Sequence, residues 1–391
     1  WMKGESNLII SFEASPLVNN AKTGIGYCEA GQVTEIAISH LGTDRIKFEF
    51  FSLRNRDKKL ANIEPYLSDN CEINMSRFSG FVYKAVSTFI PLPYSWFFGK
   101  GSDITHFFNY IVPPFVYGKK VVTIHDMVYK AFPETMNSKT RILLNLAMNK
   151  SMKRADVVVT DSEFSRSEII KYFPQYRDKV EVVPCGVDCD MFKPIQDRSI
   201  IEKVKANHNI KGKYFLYLGT LEPRKNLTRL VKAYEILSRR KEDCPLLVLA
   251  GGKGWLYDEI FEEVNKSGLG DKVIFTQYIP GEEICPLMNG AEAFVFPSLY
   301  EGFGMPPLEA MACGTPVIVS GSASLPEVVG DCGLIVDAYS EESIADAMGK
   351  IADNEELRKQ LSEKGIIRAR EFSWKKSAEK LYTIYERLVQ Q

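Results

Sequence analysis

Twelve short apolar runs do most to restrict what this chain of 391 residues can fold into. Six lie in the first half: NLIISF (7–12), FEFFSL (48–53), ITHFF (104–108), KVVTIHD (120–126), ADVVVTD (155–161) and KVEVVP (179–184). Six follow in the second: YFLYLG (214–219), PLLVLAG (245–251), KVIFTQ (272–277), AFVFPS (293–298), TPVIVS (315–320) and GLIVD (333–337). A strand with one wet face alternates apolar and polar residues, whereas these runs are apolar on consecutive residues, as strands buried on both faces are. Helical patterns lie between many of them. NLTRLVKAYEILSRR (226–240) puts Leu227, Leu230, Val231, Tyr234 and Leu237 on one face. Repeated βα units make parallel sheets with helices on both sides, and here the pattern occurs twice. The fold class is therefore α/β, with two doubly wound parallel-sheet domains.

Length agrees with two domains of similar size. CGVDCDMFKPIQD, after the sixth run, carries turn residues without helical period. The expected division is residues 1–195, 196–372 and a last helix, 373–391. That helix opens with Ser373 as N-cap and repeats apolar residues at Leu381, Ile384, Tyr385 and Leu388. The formal net charge of -1 argues against a nucleic-acid partner held by a basic surface. The 8 cysteines form no Cys-x-x-Cys pair and read as reduced, mostly buried thiols. The opening residues show no signal-peptide core, and no stretch of about 18 apolar residues could span a membrane. The expected location is cytoplasmic.

Chemistry concentrates in PSLYEGFGMPPLEAMACG (297–314). AFVFPS reads as a buried strand and PPLEAMAC as a helix, with proline acceptable in the first turn, where the first amides have no intrahelical partner. A strand, a glycine loop and a helix start follow one another at the carboxyl end of a parallel strand, where open α/β sheets bind ligands. Gly302 and Gly304 let backbone amides approach an anion, and the helix start adds positive dipole. A carboxylate in that field is expected to be ionised and acceptor-only, suited to sugar hydroxyls. Complementing the helix dipole would explain Glu309, but not Glu301, which precedes the helix.

A second cluster is YLGTLEPRKNLTRL, with Arg224 and Lys225 just before a helix. Cations there oppose the dipole, so their presence points to an anion between them and the helix end. In the first half, KTGIG (22–26) is a glycine loop between strand and helix, and His125 ends a strand as IHD. Neither half carries Gly-x-Gly-x-x-Gly. Asp188-Cys189-Asp190 has the look of a metal-holding acidic pair, but it lies in the inter-domain connection and reads as a turn.

The stretches LYEGFGMPPLEAMACGTPVI, GTLEPRKN, GGKGW (251–255), GVDCDMF and SLPEVVGDCG together resemble the family-4 retaining glycosyltransferases, whose signature is two glutamates eight residues apart. The resemblance implies the GT-B architecture: two Rossmann-like domains facing across a cleft, with the last helix crossing back to the first domain. It implies that Glu309 holds the ribose hydroxyls of a nucleotide-sugar. Glu301 contacts the transferred sugar, with Gly302, Phe303 and Gly304 nearby. Arg224 and Lys225 neutralise the diphosphate. Gly219 and the pair Tyr278 and Ile279 line the donor, the latter two along the base. Gly24 and Gly26 face the diphosphate, and His125 lies close to the donor sugar. The chain departs from the common pattern at Thr220, where many relatives carry arginine, and at FEASPL, which replaces the Asp-x-Arg at the first strand end of many relatives, so the resemblance does not extend to acceptor contacts from Glu13.

The implied reaction moves a sugar from a nucleotide diphosphate to an acceptor hydroxyl with retention. Lys225, Arg224, loop amides and the helix dipole stabilise the leaving diphosphate without metal or other cofactor. The variant of the signature is most like bacterial mannosyltransferases of surface polysaccharide assembly, which makes GDP-mannose the expected donor and a glycan or lipid-linked molecule the acceptor. A UDP-sugar transferase and a GT-B nucleotide-sugar epimerase are the alternatives. Residues 78–101, FSGFVYKAVSTFIPLPYSWFFGKG, are aromatic enough to meet the inner face of a membrane as a peripheral contact.

Overall fold

The computed structural model describes residues 7–19, 22–252, 254 and 257–391. Lys253 and Trp255 of GGKGW lie outside the described residues. The chain forms two compact units, one reaching to Gly186 and rejoined by Trp374–Gln391, the other Val187–Ser373.

The first unit holds a sheet of strands β1 (Ile9–Glu13), β2 (Arg45–Phe51), β3 (Cys71–Ser76), β4 (Ile104–Phe107), β5 (Lys119–Thr123), β6 (Val157–Thr160) and β7 (Val180–Val182). Their order is β3-β2-β1-β4-β5-β6-β7, and all pairings are parallel. The second sheet contains β8 (Tyr214–Leu218), β9 (Leu246–Ala250), β10 (Val273–Gln277), β11 (Ala293–Phe296), β12 (Val317–Ser320) and β13 (Leu334–Val336). Its order is β10-β9-β8-β11-β12-β13, again wholly parallel. Both orders are those of Rossmann-like sheets, and each reverses direction beside its own first strand.

Twelve of these strands fall on the apolar runs. The exception is β3, CEINMS, an edge strand with no buried residue. It lacks a continuous apolar run because none of its residues is buried.

The helix Trp374–Gln390 is part of the first unit. Leu381, Ile384, Tyr385 and Leu388 enter its core beside Ile10, Phe12 and Phe48. Gln32 Nε2 donates to Ser377 Oγ at 2.9 Å, and His106 Nδ1 lies 2.5 Å from the Tyr385 hydroxyl. Gly31 is obligatory here, since a Cβ would stand 2.1 Å from the Trp374 ring. Each fully buried leucine or isoleucine of that helix contributes roughly 1.5–3 kcal/mol. Among the described residues, no helix is long and apolar enough to cross a membrane.

Candidate active site

Strands β8 and β11 are neighbours in the second sheet, with Phe215 beside Ala293 and Leu216 beside Phe294. Between them the strand order reverses, so the loops leaving their carboxyl ends flank the switch point where open α/β sheets take ligands. Those loops are the two clusters that the sequence singled out. They are joined at the backbone, where the Leu299 amide donates to the Arg224 carbonyl at 2.9 Å. Asn226, buried and in the left-handed region at φ 62°, donates its side-chain amide to the carbonyls of Pro297 (3.1 Å) and Ala338 (2.7 Å). Asparagine tolerates that conformation better than most residues, and here it also locks the start of the helix Leu227–Arg240 to the neighbouring loops.

The charged side chains meet as a network. Lys225 Nζ donates to Glu301 Oε1 at 2.6 Å, and Arg224 Nη1 donates to Glu301 Oε2 at 2.9 Å and to the Tyr300 carbonyl at 2.6 Å. Arg224 Nη2 reaches Glu222 Oε1 at 2.7 Å. Lys225 Nζ also lies 4.9 Å from the centre of the Phe296 ring. Burial alone would raise the Glu301 carboxyl, but Arg224 and Lys225 outweigh it and hold it at about 2. Burial and the adjacent Arg224 push the Lys225 ammonium below its ordinary value, and Glu301 opposes them. Glu301 is therefore ionised throughout the neutral range, and both cations are fixed before any ligand arrives.

The glycine loop is held from behind. Ser324 Oγ lies 3.0 Å from the Glu301 carbonyl and 2.6 Å from that of Phe303. Gly304 has φ 121°, and a Cβ there would meet Leu325 Cδ2 at 2.8 Å. It precedes the helix Met305–Ala312, whose first turn contains no acidic residue. The start of that helix thus keeps its positive dipole for a ligand. Gly219 follows β8 and packs so closely on the loop after β9 that a Cβ on Gly251 would stand 1.9 Å from the Gly219 carbonyl oxygen. Tyr278 and Ile279 follow β10 at the same edge, the first 77 % exposed and the second buried.

Glu309 corrects the expectation of an ionised carboxylate. It sits within the helix Met305–Ala312 and makes no ion pair or side-chain hydrogen bond among the described residues. Burial lifts its carboxyl from the ordinary 4.5 to about 7. Near neutrality it is half protonated and can donate as well as accept.

His125, Gly24 and Gly26 belong to the first unit. Gly24 and Gly26 open the helix Gly24–Ser39, whose N-cap Thr23 makes no side-chain capping bond. A Cβ on Gly26 would lie 3.1 Å from the Pro16 carbonyl oxygen, while Gly24 has open space beside it. The His125 ring is held at both nitrogens, Nδ1 2.7 Å from Asp161 Oδ2 and Nε2 2.9 Å from the Phe108 carbonyl. Burial works against a charged ring, but Asp161 overcomes it and raises His125 to about 10. An imidazolium held this way has no lone pair to take a proton; it offers fixed positive charge. Asp161 also touches the helix of Gly24, since its Oδ1 lies 3.9 Å from Cys28 Sγ.

Four members of this machinery escaped the sequence reading as site residues: Glu222, Asn226, Ser324 and Asp161. Ser324 and Asp161 stood inside the quoted stretches SLPEVVGDCG and ADVVVTD. Nothing in their spacing shows that they brace residues 23 and 36 positions away.

Two family models match the chain: "Glycosyl transferases group 1" over residues 199–368 and "Glycosyltransferase Family 4" over residues 76–191. The O-antigen chain mannosyltransferase B of Escherichia coli is 33% identical over 273 residues, covering 69% of this chain and 71% of that protein. The serotype-specific mannosyltransferase WbdA of Escherichia coli is 29% identical over 247 residues, 62% of this chain but only 30% of that longer protein. Among solved structures, Anabaena HepE in complex with UDP and glucose superposes with a TM-score of 0.71 at 17% identity, covering 97% of this chain and 100% of that one. At that identity the likeness concerns the fold.

Proposed function

Since the chain belongs to the family-4 glycosyltransferases of GT-B architecture, we propose that it transfers mannose from GDP-mannose, with retention and without metal, to a glycan or lipid-linked acceptor in polysaccharide synthesis. The observation that carries this reading is the Glu301–Lys225–Arg224 network at the switch point between β8 and β11. A departing nucleoside diphosphate develops negative charge. Two fixed cations and the dipole of the helix Met305–Ala312 can stabilise that charge without rearranging when the bond breaks. The mannosyltransferases of Escherichia coli named above support mannose over other hexoses.

In this reading Glu309 takes the ribose hydroxyls and Glu301 the transferred sugar. Gly302, Phe303 and Gly304 lie along the diphosphate, Gly219 closes the floor, and Tyr278 and Ile279 follow the base. Because Glu301 is given to the transferred sugar and Glu309 to the ribose, no carboxylate is assigned as nucleophile; the acceptor attacks from the face the diphosphate leaves, and the departing phosphate oxygen takes its proton. The side chains of Phe81, Phe89, Ile90 and Trp96, each more than 60 % exposed, would suit a peripheral contact with the inner face of the cytoplasmic membrane.

A thermal-shift panel of GDP, UDP, ADP and their sugars tests the donor. GDP and GDP-mannose should raise the melting temperature most. Stabilisation by UDP alone would make the protein a UDP-sugar transferase. Turnover of the donor without acceptor, giving free nucleotide and altered sugar, would make it an epimerase.

A further inference from the structure

Two buried thiols of the first unit, Cys28 and Cys185, have no part in the donor reading, yet they meet at a carboxylate, that of Asp161. The three residues are far apart in sequence. Cys28 lies in the helix Gly24–Ser39, Asp161 follows β6, and Cys185 follows β7, directly before Gly186, where the unit ends. Cys185 Sγ lies 3.3 Å from Cys28 Sγ, and Cys28 Sγ lies 3.9 Å from Asp161 Oδ1. The three ligand atoms all fall within 4.8 Å of one another. Around a tetrahedral zinc ion, bonds of about 2.3 Å to sulfur and about 2.0–2.2 Å to oxygen set the ligand atoms roughly 3.5–3.8 Å apart. The two separations given above bracket that range, so small side-chain rotations would centre an ion among the three.

Two observations set this cluster apart from thiols that merely fill space. Neither cysteine belongs to the apolar core built on Ile10, Phe12 and Phe48, nor to the one built on Tyr83, Tyr129 and Met148. The Asp161 carboxylate is also unevenly satisfied. Its Oδ2 has His125 Nδ1 at 2.7 Å, whereas Oδ1 faces sulfur, a weak donor. A buried carboxylate oxygen with weak partners carries an uncompensated desolvation cost, which a cation removes.

We propose that Cys28, Cys185 and Asp161 bind one zinc ion, Asp161 through Oδ1, and that the ion clamps the helix Gly24–Ser39 to the segments leaving β6 and β7. Thiolate ligands select zinc over magnesium, manganese or calcium. On binding, two S–H bonds give way to two S–Zn bonds, and two protons pass to water. A water molecule takes the fourth position. Asp161 Oδ2 keeps its bond to His125, so the ligating carboxylate is itself held in place, as such ligands are. Enclosed by buried ligands, the ion serves the fold and does not meet the diphosphate. A chelator reaches it only when the first unit opens, which is compatible with turnover in EDTA. The inference does not depend on the donor reading.

Metal content and cobalt spectroscopy on the full chain test this without reference to activity. Protein purified without chelator from zinc-supplied cells should carry about one zinc per chain by mass spectrometry of its metals. Protein made with cobalt in place of zinc should show the near-ultraviolet thiolate band and the strong visible bands of a tetrahedral site. Cys28→Ala and Cys185→Ala should each reduce the thiolate band, and the double variant should abolish it. Asp161→Asn should keep that band and weaken zinc about tenfold to a hundredfold, read by competition with a chromophoric chelator. The wild-type measurements decide even where a variant fails to fold. A wild type that carries no zinc and shows no thiolate band with cobalt would overturn the proposal. So would a band unchanged in the double variant, which would place the ion elsewhere, as at Cys285 and Cys313, whose sulfurs lie 3.7 Å apart. A Cys28–Cys185 disulfide found by peptide mass spectrometry in the freshly purified protein would overturn it as well, since the pair would then have no thiolates to give.

Discussion

At the carboxyl end of the second sheet the charges beside the switch point are already matched. Arg224 and Lys225 are answered by Glu222 and Glu301, and all four side chains are largely buried. At the carboxyl end of the first sheet Arg54, Lys59 and Lys84 surround an open cavity without carboxylates in ion-pair range among the described residues. The two sheets share their strand order through the sixth strand, so topology does not set this difference. In the proposed reaction the end of the second sheet stabilises the leaving diphosphate. A site that must stabilise charge developing during a reaction gains from cations fixed in advance, because no reorganisation is then needed when the bond breaks.

The sharpest way to break the comparison is to remove a matched cation. Lys225→Ala should lower turnover by about 10²–10³ and weaken GDP, because the leaving diphosphate loses its buried positive partner. Steady-state rates beside GDP titration measure both. A loss below tenfold would place the diphosphate elsewhere. Breaking a buried ion pair costs about 3–5 kcal/mol of stability, so melting temperature must be followed, and Lys225→Arg, which keeps the charge, should recover part of the stability before the rate.

A smaller effect is expected from removing the anion. Glu301→Gln should cut turnover by about tenfold to a hundredfold, because a contact to the transferred sugar that tightens as the bond breaks is lost. GDP affinity should hold or rise, since Lys225 and Arg224 no longer share their charge with Glu301. If GDP binding falls with turnover, Glu301 serves the nucleotide and not the sugar.

The fold and the residue types of the site were legible in the sequence to unequal degrees. Apolar runs revealed twelve of the strands and could not reveal β3, none of whose residues is buried. The pairing of Arg224 and Lys225 with Glu301 was invisible, because it spans 77 and 76 residues and depends on β8 and β11 lying side by side. The raised carboxyl of Glu309 was hidden for the same reason. Its spacing from Glu301 could be read, but its desolvation is a property of packing. His125 read as a residue at a strand end, while the bond to Asp161 that fixes its charge joins loops after different strands.

Glu309 provides the next prediction, on pH. Its folded value is raised from 4.5 to about 7. The associated stability is therefore fully present below pH 4.5 and lost as pH rises through 7. Melting curves should show Glu309→Gln gaining on the wild type from pH 4.5 to about 7 and keeping that gain above it. If only the ionised carboxylate accepts the ribose hydroxyls, GDP affinity should rise about tenfold from pH 6 to pH 8, beyond any rise seen in Glu309→Gln. Parallel slopes in the two proteins would show that this carboxylate does not touch the ribose.

The smallest effect, none at all, is expected from a chelator. In the proposed reaction Lys225 and Arg224 neutralise the diphosphate, so turnover with excess EDTA should equal turnover without it. The sequence offered Asp188 and Asp190 as the rival arrangement. Asp188 Oδ1 accepts from the amides of Asp190 at 2.9 Å and Met191 at 3.0 Å, which is the work of a turn residue. A divalent ion binding there would have to compete with both amides for that oxygen. If EDTA abolishes transfer and manganese or magnesium restores it, the matched network of the second sheet is insufficient for the diphosphate. Asp188→Asn would then tell whether the ion binds at this turn, since it should prevent the rescue only if the carboxylate is a ligand.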